Sequence, residues 1–288
     1  MVEKTELILA EKPTAARKIA YALAEGKVIA KKDKGVPYYI INRKGKRIFV
    51  ASAIGHVFEL VEKENAKGKI PQFDIEWKPS KLSNAKKFID VLKKLCREAD
   101  EVTVACDYDI EGEVIGLNIV RYVCNRKDAY RMKFSTLTKP DLIKAYENKM
   151  PSLDWGQANA GETRHILDWY YGINTSRALM RSMSEAGMFK IMSTGRVQGP
   201  TLKIVVDRER EIQRFEPKPY WVISISYKKK SSKEVLEANY KEDKIFDEER
   251  AKKIYEKIKK EKEGVIKDIE KKVSIISAPY PFDLTTLQ

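Results

Sequence analysis

The sequence predicts an α/β domain with a mostly parallel sheet, then a helical region, then the first strands of a further β-rich part. Three observations predict it. Up to about residue 150, short apolar runs alternate with helical repeats, as they do where each strand is followed by a crossover helix. From residue 151 the texture becomes helical throughout, in MPSLDWGQANAGETRHILDWYYGINTSRALMRSM. Beyond PKP (217–219) apolar and polar residues alternate once more, in YWVISISYKKK.

Each element has its own justification. ELILA (6–10) is a short apolar strand. EKPTAARKIAYALAEG follows at once; Pro13 suits a first helical turn, and Ala16, Ile19, Ala20 and Leu23 recur at helical spacing up to Gly26. YYIIN and RIFVAS flank the turn RKGK as strands. NAKKFIDVLKKLCREAD (84–100) sets Phe88, Val91, Leu92 and Leu95 on one helical face, EVTVAC (101–106) reads as a buried strand, and EVIGLNIVRYVCN (113–125) as a helix. Asp154 or Ser152 caps the long helix after residue 151. STGRVQG interrupts it, and PTLKIVVDREREIQRF forms a further helix with Pro200 near its start. YWVISISYKKK is expected as a half-buried antiparallel strand. DEERAKKIYEKIKKEKE (247–263) is an amphipathic helix whose nearly balanced charges mark a solvated face, and VIKDIEKKVSIIS (265–277) supplies another strand or two. There is no internal repeat and no low-complexity linker.

Composition narrows the function classes. A hydrophobic content of 43% supports real cores and excludes global disorder. No apolar run approaches the roughly 18 residues of a membrane helix, and MVEKTELILAEKPT lacks a signal-peptide pattern, so no membrane partner and a cytoplasmic location are expected. Cys96, Cys106 and Cys124 form no C-x-x-C pair; buried free thiols are expected, without a zinc ribbon or a disulfide framework. The formal net charge of +14 favours a polyanionic partner, although a Lys/Glu-rich surface is also what a solvated or heat-adapted protein carries.

Against that positive balance, ACDYDIEGE (105–113) crowds Asp107, Asp109, Glu111 and Glu113 together. In an extended segment Asp107, Asp109 and Glu111 point to one side. They follow a buried strand, where an α/β sheet carries its functional loops. Like charges this close repel unless a cation or a retained proton sits among them. Oxygen ligands without His or Cys suit magnesium, with manganese as the alternative, and not zinc. The plainer reading is that these acids offset the dipole of the next helix. Glu11 and Lys12 end the first strand. Because neighbouring parallel strands converge at their C-terminal ends, Glu11 is expected to face Asp107 as a ligand or an acid/base, with Lys12 neutralising phosphate charge.

At these residues the chain resembles a known family. ILAEKPTAARKIA followed by CDYDIEGEVIG is similar to the Toprim domain of type IA DNA topoisomerases, in the form of the topoisomerase III-like and archaeal branch. ASAIGHVFEL, RHILDWYYGINTSRAL, STGRVQGPTLKIVVDREREIQRFEPKPYW and PFDLTTLQ resemble further stretches of those enzymes in the same order, so the likeness covers essentially the whole chain. It implies a Toprim metal-binding domain at 1–150, a helical single-strand DNA groove domain at 151–216, and the first part of an arch-like β domain at 217–288. Glu11 would act on the leaving 3′-oxygen and touch the metal, and Lys12 would stabilise the phosphate. Asp107 and Asp109 would hold magnesium with Glu111 in support. DNA contacts are implied at His56, Arg164, His165 and Asp168, and along Ser193, Thr194, Gly195, Arg196, Val197 and Gln198. Without the likeness, His56 reads as a satisfied core histidine and Arg164/Asp168 as a helical ion pair. Trp155, Trp169 and Tyr170 serve either stacking or core. Ile110 and Ile173 depart from the family, which often has an arginine and an aromatic at these positions.

The resemblance implies an enzyme that cleaves and reseals one strand of single-stranded or negatively supercoiled DNA through a 5′-phosphotyrosine. A nucleoid-associated cytoplasmic location goes with that substrate. No ATP is expected, and the chain has no G-x-x-x-x-G-K-[ST] loop. The family's nucleophile lies in a Y-x-R-T/S-x-S/T motif after the PFDLTTLQ-like stretch. None of the 14 tyrosines stands in such a motif, Tyr280 precedes that stretch, and the chain stops at Gln288. The tyrosine is therefore expected outside this chain, on a missing continuation or a second polypeptide. Two other readings use fewer of these motifs: a Toprim nuclease or primase, and a non-catalytic single-stranded DNA-binding subunit.

Overall fold

The computed structural model describes residues 4–81, 84–230, 232, 234–279 and 281. Tyr280 and all but the first residue of PFDLTTLQ lie outside the described residues. The chain forms two compact units, Met1–Asp207 and Arg208–Gln288.

The first unit is built on six strands: β1 (Thr5–Ala10), β2 (Ile29–Asp33), β3 (Val36–Arg43), β4 (Lys46–Ser52), β7 (Glu101–Ala105) and β8 (Tyr130–Arg131), in the order β2-β3-β4-β1-β7-β8. β1 runs parallel to β4 and β7, and β7 parallel to β8. β3 runs antiparallel to both β2 and β4, so the sheet is mixed where a mostly parallel one was expected. Tight turns decide this. Lys44 and Gly45 both take positive φ in RKGK, as do Lys34 and Gly35 one strand earlier, and two such residues close an antiparallel hairpin. β2 gave no sequence signal because IAKKD is an exposed edge strand, guarded by Lys31 and Lys32.

Alternate residues of β1 feed two cores, as a period of two requires. Leu7 and Leu9 pack with α2 (Ala85–Glu98) and α3 (Ile110–Tyr122), through residues such as Leu92 and Leu117. Ile8 and Ala10 pack on the other face with α1 (Pro13–Leu23) and α4 (Lys139–Glu147), through Ile19, Leu23 and Leu142. The expected face of α2 is buried as the spacing requires. The thiols correct the sequence reading. Cys96 on α2 and Cys124, just past α3, lie on one side of the sheet with Cα atoms 5.1 Å apart and form a disulfide; only Cys106 is free and buried.

A separate hairpin, β5 (Phe58–Glu62) with β6 (Ile75–Pro79), stands beside a 31-residue helix, α5 (Trp155–Glu185). Asp154 caps α5 by accepting from the Gln157 N–H. α5 crosses α3 at Gly161, where a Cβ would lie 2.4 Å from the Ile110 carbonyl oxygen and 2.5 Å from a Val114 methyl. Only glycine permits that approach. α6 (Gln198–Gln213) starts two residues before Pro200.

In the second unit β9 (Ser224–Lys228) and β10 (Val235–Asn239) pair antiparallel. Ile223, Ile245 and Ala251, the last on α7 (Glu248–Lys259), form a small core. β9 is exposed along its whole length where a half-buried strand was expected. The segment 265–277 carries no strand: its apolar residues alternate, but no described strand pairs with it in a ladder. Among the described residues no helix is long and apolar enough to cross a membrane.

Candidate functional site

Three parallel strands deliver their following loops to one edge of the sheet. Ala10 of β1 stands beside Ser52 of β4 and Ala105 of β7. The Ala53 N–H donates to Ala10 O (2.9 Å) and the Gly55 N–H to Glu11 O (3.1 Å), which ties the His56 loop to the Glu11 turn. Lys12 Nζ lies 3.6 Å from Glu11 Oε1 and 3.6 Å from Asp107 Oδ2. The sheet thus brings Glu11, Lys12 and Asp107 together. Burial first, then the charge of Asp107, pushes the Glu11 carboxyl above its ordinary pKa; Lys12 opposes this and Asp109 adds to it. Glu11 and Asp107 in turn raise Lys12. One lysine between Glu11 and Asp107 leaves hard oxygen donors in excess, and donors of that kind suit magnesium. Beside it opens a cavity of 560 Å³ lined by Lys12, Lys18, Lys133, Asp107, Ser135 and Thr136 among others.

The raised Glu11 carboxyl yields a pH prediction. Protons and a divalent cation compete for it, so magnesium affinity should rise with pH through a Glu11 pKa lying above 4.5. For the metal-free chain the sign is opposite. A raised carboxyl pKa contributes stability below the unfolded value, and that contribution is lost as pH rises through the folded one. Calorimetric titration of magnesium between pH 4 and 7 checks this. Glu11→Gln should flatten the dependence, and a wild-type profile without slope would remove Glu11 from the metal site.

The acidic loop owes its shape to Asp109 acting as a helix cap and to Gly112, Glu113 and Arg131, to which motif reading gave no role. Asp109 Oδ1 accepts from the Gly112 N–H (2.8 Å) as the cap of α3. α3 therefore starts at Ile110, three residues before the expected boundary. Glu111 consequently lies in a first helical turn and not in an extended segment. Glu113 points inward and is fully buried. There Arg131, from β8, donates from Nε to its Oε2 (2.6 Å), and the Asp154 N–H donates to its Oε1 (2.8 Å). The same guanidinium donates to the carbonyls of Cys106 and Asp107, each at 2.8 Å. Those carbonyls are held facing the interior, and Asp107 is left partly exposed on the other side. Gly112 is needed here too, because a Cβ would lie 2.2 Å from Asp107 O. The EGE spacing hinted at Gly112; nothing local in the sequence marked Arg131.

Glu111 belongs to a second cluster. His56 Nε2 and His165 Nε2 lie 3.1 and 2.9 Å from its Oε2, and an Arg164 guanidinium nitrogen lies 3.5 Å from its Oε1. The two imidazole rings are 4.8 Å apart. Burial, reinforced by His165, lowers the His56 pKa against the pull of Glu111. His56, Glu111 and His165 are compatible with a divalent-metal site. Asp168, on the next turn of α5, accepts from Arg196 at 2.6 and 3.3 Å; that contact, chiefly, depresses its pKa. Thr194 exchanges backbone hydrogen bonds with the Ser176 hydroxyl, which anchors the STGRVQG stretch to α5. Ser193 and Val197 are exposed, the Gly195 carbonyl accepts from Gly199, and Gln198 opens α6. Of the aromatics, Trp155 packs against the sheet core, and Tyr170 stacks edge-on with Phe73 and donates to its carbonyl.

Comparison with known proteins places the chain in a family. A Toprim-domain family model matches residues 6–137, and a DNA topoisomerase family model matches residues 152–288. DNA topoisomerase 1 of Methanocaldococcus jannaschii is 49% identical over 99% of this chain and 37% of its own length. DNA topoisomerase 1 of Pyrococcus furiosus is 52% identical over 98% of this chain and 27% of its own length. The solved full-length topoisomerase I of Thermotoga maritima superposes with a TM-score of 0.59 at 28% identity, over 86% of this chain and 37% of that one. The chain thus spans well under half the length of the relatives it matches.

Proposed function

Because this chain belongs to the type IA DNA topoisomerase family, carrying its Toprim part and the stretch that follows, we propose that it supplies the metal-binding and strand-holding portion of an ATP-independent enzyme that breaks and reseals one DNA strand. The observation that carries the proposal is the convergence of Glu11, Lys12 and Asp107 at the C-terminal edge of the sheet. Asp107 and Asp109, with Glu11 beside them, would hold magnesium; when bound, the ion polarises and positions phosphate oxygens. Lys12 offsets charge that develops on the scissile phosphate. Glu11, its carboxyl raised by burial and by Asp107, is suited to hand a proton to the leaving 3′-oxygen and to take it back on resealing. A single strand would run from this centre past His56, Arg164, His165 and Asp168, then along Ser193 to Gln198. Its phosphates would meet Arg164 and Arg196, so binding should weaken steeply with salt.

In this reading residues 1–150 are the Toprim domain, 151–216 the groove and 217–288 the beginning of the arch. The nucleophilic tyrosine of the 5′-phosphotyrosine step lies on other residues of the enzyme. The test mixes this chain with a polypeptide bearing the tyrosine motif and follows relaxation of negatively supercoiled plasmid in magnesium. Relaxation in the mixture, with a covalent protein–DNA adduct and its loss in Asp107→Ala, is expected. Metal-dependent cutting by this chain alone, without an adduct, would overturn the proposal in favour of a Toprim nuclease.

A further inference from the structure

We propose that His56, Glu111 and His165 form a binding site for a zinc-class divalent cation, separate from the carboxylate centre that suits magnesium. The chain has only two histidines. One comes from the loop after β4 and the other from α5, and both turn Nε2 to the same oxygen of the same carboxylate. One ligand atom from each of the three residues can be chosen so that all lie within 4.8 Å of one another. In four-coordinate zinc, bonds near 2.1 Å place neighbouring ligand atoms roughly 3.4 Å apart. From 2.9 and 3.1 Å, the two contacts to Glu111 need to open by a few tenths of an ångström, and the two imidazole nitrogens, which lie within 4.8 Å, need to settle at about the same spacing.

The donor set decides the class of ion. Two imidazoles and one carboxylate suit zinc and its neighbours among the transition metals, whereas magnesium favours an all-oxygen shell. The surroundings are those of a prepared site. Arg164 engages Oε1 of Glu111 and leaves Oε2 to the imidazoles, and Trp77 packs edge-on to the His165 ring at 5.7 Å. The three side chains are 28–38% exposed, which gives an ion a way in and leaves a fourth position for water. Glu11, Lys12 and Asp107 form their own contact group, so the two centres share the acidic loop but not these ligands. The competing arrangement is a plain hydrogen-bonded triad, in which two imidazoles share one carboxylate oxygen.

The test uses the whole chain, stripped of metal, without DNA or magnesium, so that its outcome is independent of topoisomerase activity. Zinc is titrated in competition with a chromophoric chelator. One equivalent should bind with micromolar or tighter affinity, undisplaced by millimolar magnesium, and cobalt in its place should give the visible absorption of a low-coordinate site. His56→Asn and His165→Asn should each weaken zinc at least tenfold, while Asp107→Asn leaves it unchanged; thermal melts confirm that the variants fold. Absence of stoichiometric binding would overturn the proposal, as would histidine variants that bind like wild type or zinc lost with Asp107→Asn. Should a histidine variant fail to fold, zinc-edge X-ray absorption of the wild type decides: two imidazole nitrogens support the site, and none overturns it.

Discussion

Arg131→Met is expected to lower folding stability by about 3–5 kcal/mol, the usual cost of removing one partner from a fully buried ion pair. Both Arg131 and Glu113 are wholly inaccessible, and methionine fills the volume without supplying a donor. Glu113 would be left charged in the interior, and the carbonyls of Cys106 and Asp107 would lose their donor. The second consequence is functional. Released carbonyls let the loop rotate, so magnesium affinity should fall at least tenfold even in the fraction that remains folded. A double variant, Arg131→Met with Glu113→Leu, removes the stranded charge and should recover much of the stability without restoring the metal affinity. Urea unfolding and magnesium titration of the three proteins check this. A single variant within 1 kcal/mol of wild type, with unchanged magnesium binding, would show that the loop does not depend on Arg131.

Gly112→Ala should act on the same loop from the opposite side. The new methyl would lie 2.2 Å from the Asp107 carbonyl oxygen, and the obstacle is backbone, which cannot swing away as a long side chain does. The start of α3 or the Asp107 loop must shift, at a cost of about 1–3 kcal/mol. Asp109 loses alignment with the Gly112 N–H it caps. Magnesium affinity should drop more than tenfold. Gly172→Ala is the control: in α5 nothing lies within 4 Å of the added carbon, and alanine there should add about 0.5–1 kcal/mol through helix propensity. Equal behaviour of the two variants would refute the steric argument.

Sequence made plain those parts of the fold whose signals are local. Pro13 opens α1, Asp154 caps α5, and Phe88, Val91, Leu92 and Leu95 mark the buried face of α2. Glu11 and Asp107 were legible as neighbours because parallel strands end together, a rule that needs no side-chain detail. The start of α3 was not. DYDIE alternates like a strand, and only the Asp109–Gly112 hydrogen bond shows that a helix has already begun. Arg131 was invisible because its partners Cys106, Asp107 and Glu113 lie 18 to 25 residues away and meet it only when β8 joins β7. The Cys96–Cys124 pair and the meeting of both histidines on Glu111 belong to the same class, long-range encounters that carry no spacing signature. VIKDIEKKVSIIS failed for the converse reason: its local pattern suits a strand, yet a strand exists only where another lies alongside.

The glycine contact between α3 and α5 makes one rod serve two ends of the molecule's chemistry. Asp154 at the head of α5 touches the carboxylate that Arg131 holds, His165 reaches Glu111, and Ser176 grips Thr194. At 1.5 Å per residue, the span from His165 to Ser176 is roughly 16 Å. An uninterrupted helix cannot stretch, so this interval is a fixed gauge. In the proposed reading, a strand lying along it would present its cut point at a set number of links from whatever the STGRVQG stretch would hold. Choice of where to break would then be made by measurement, remote from the bond itself.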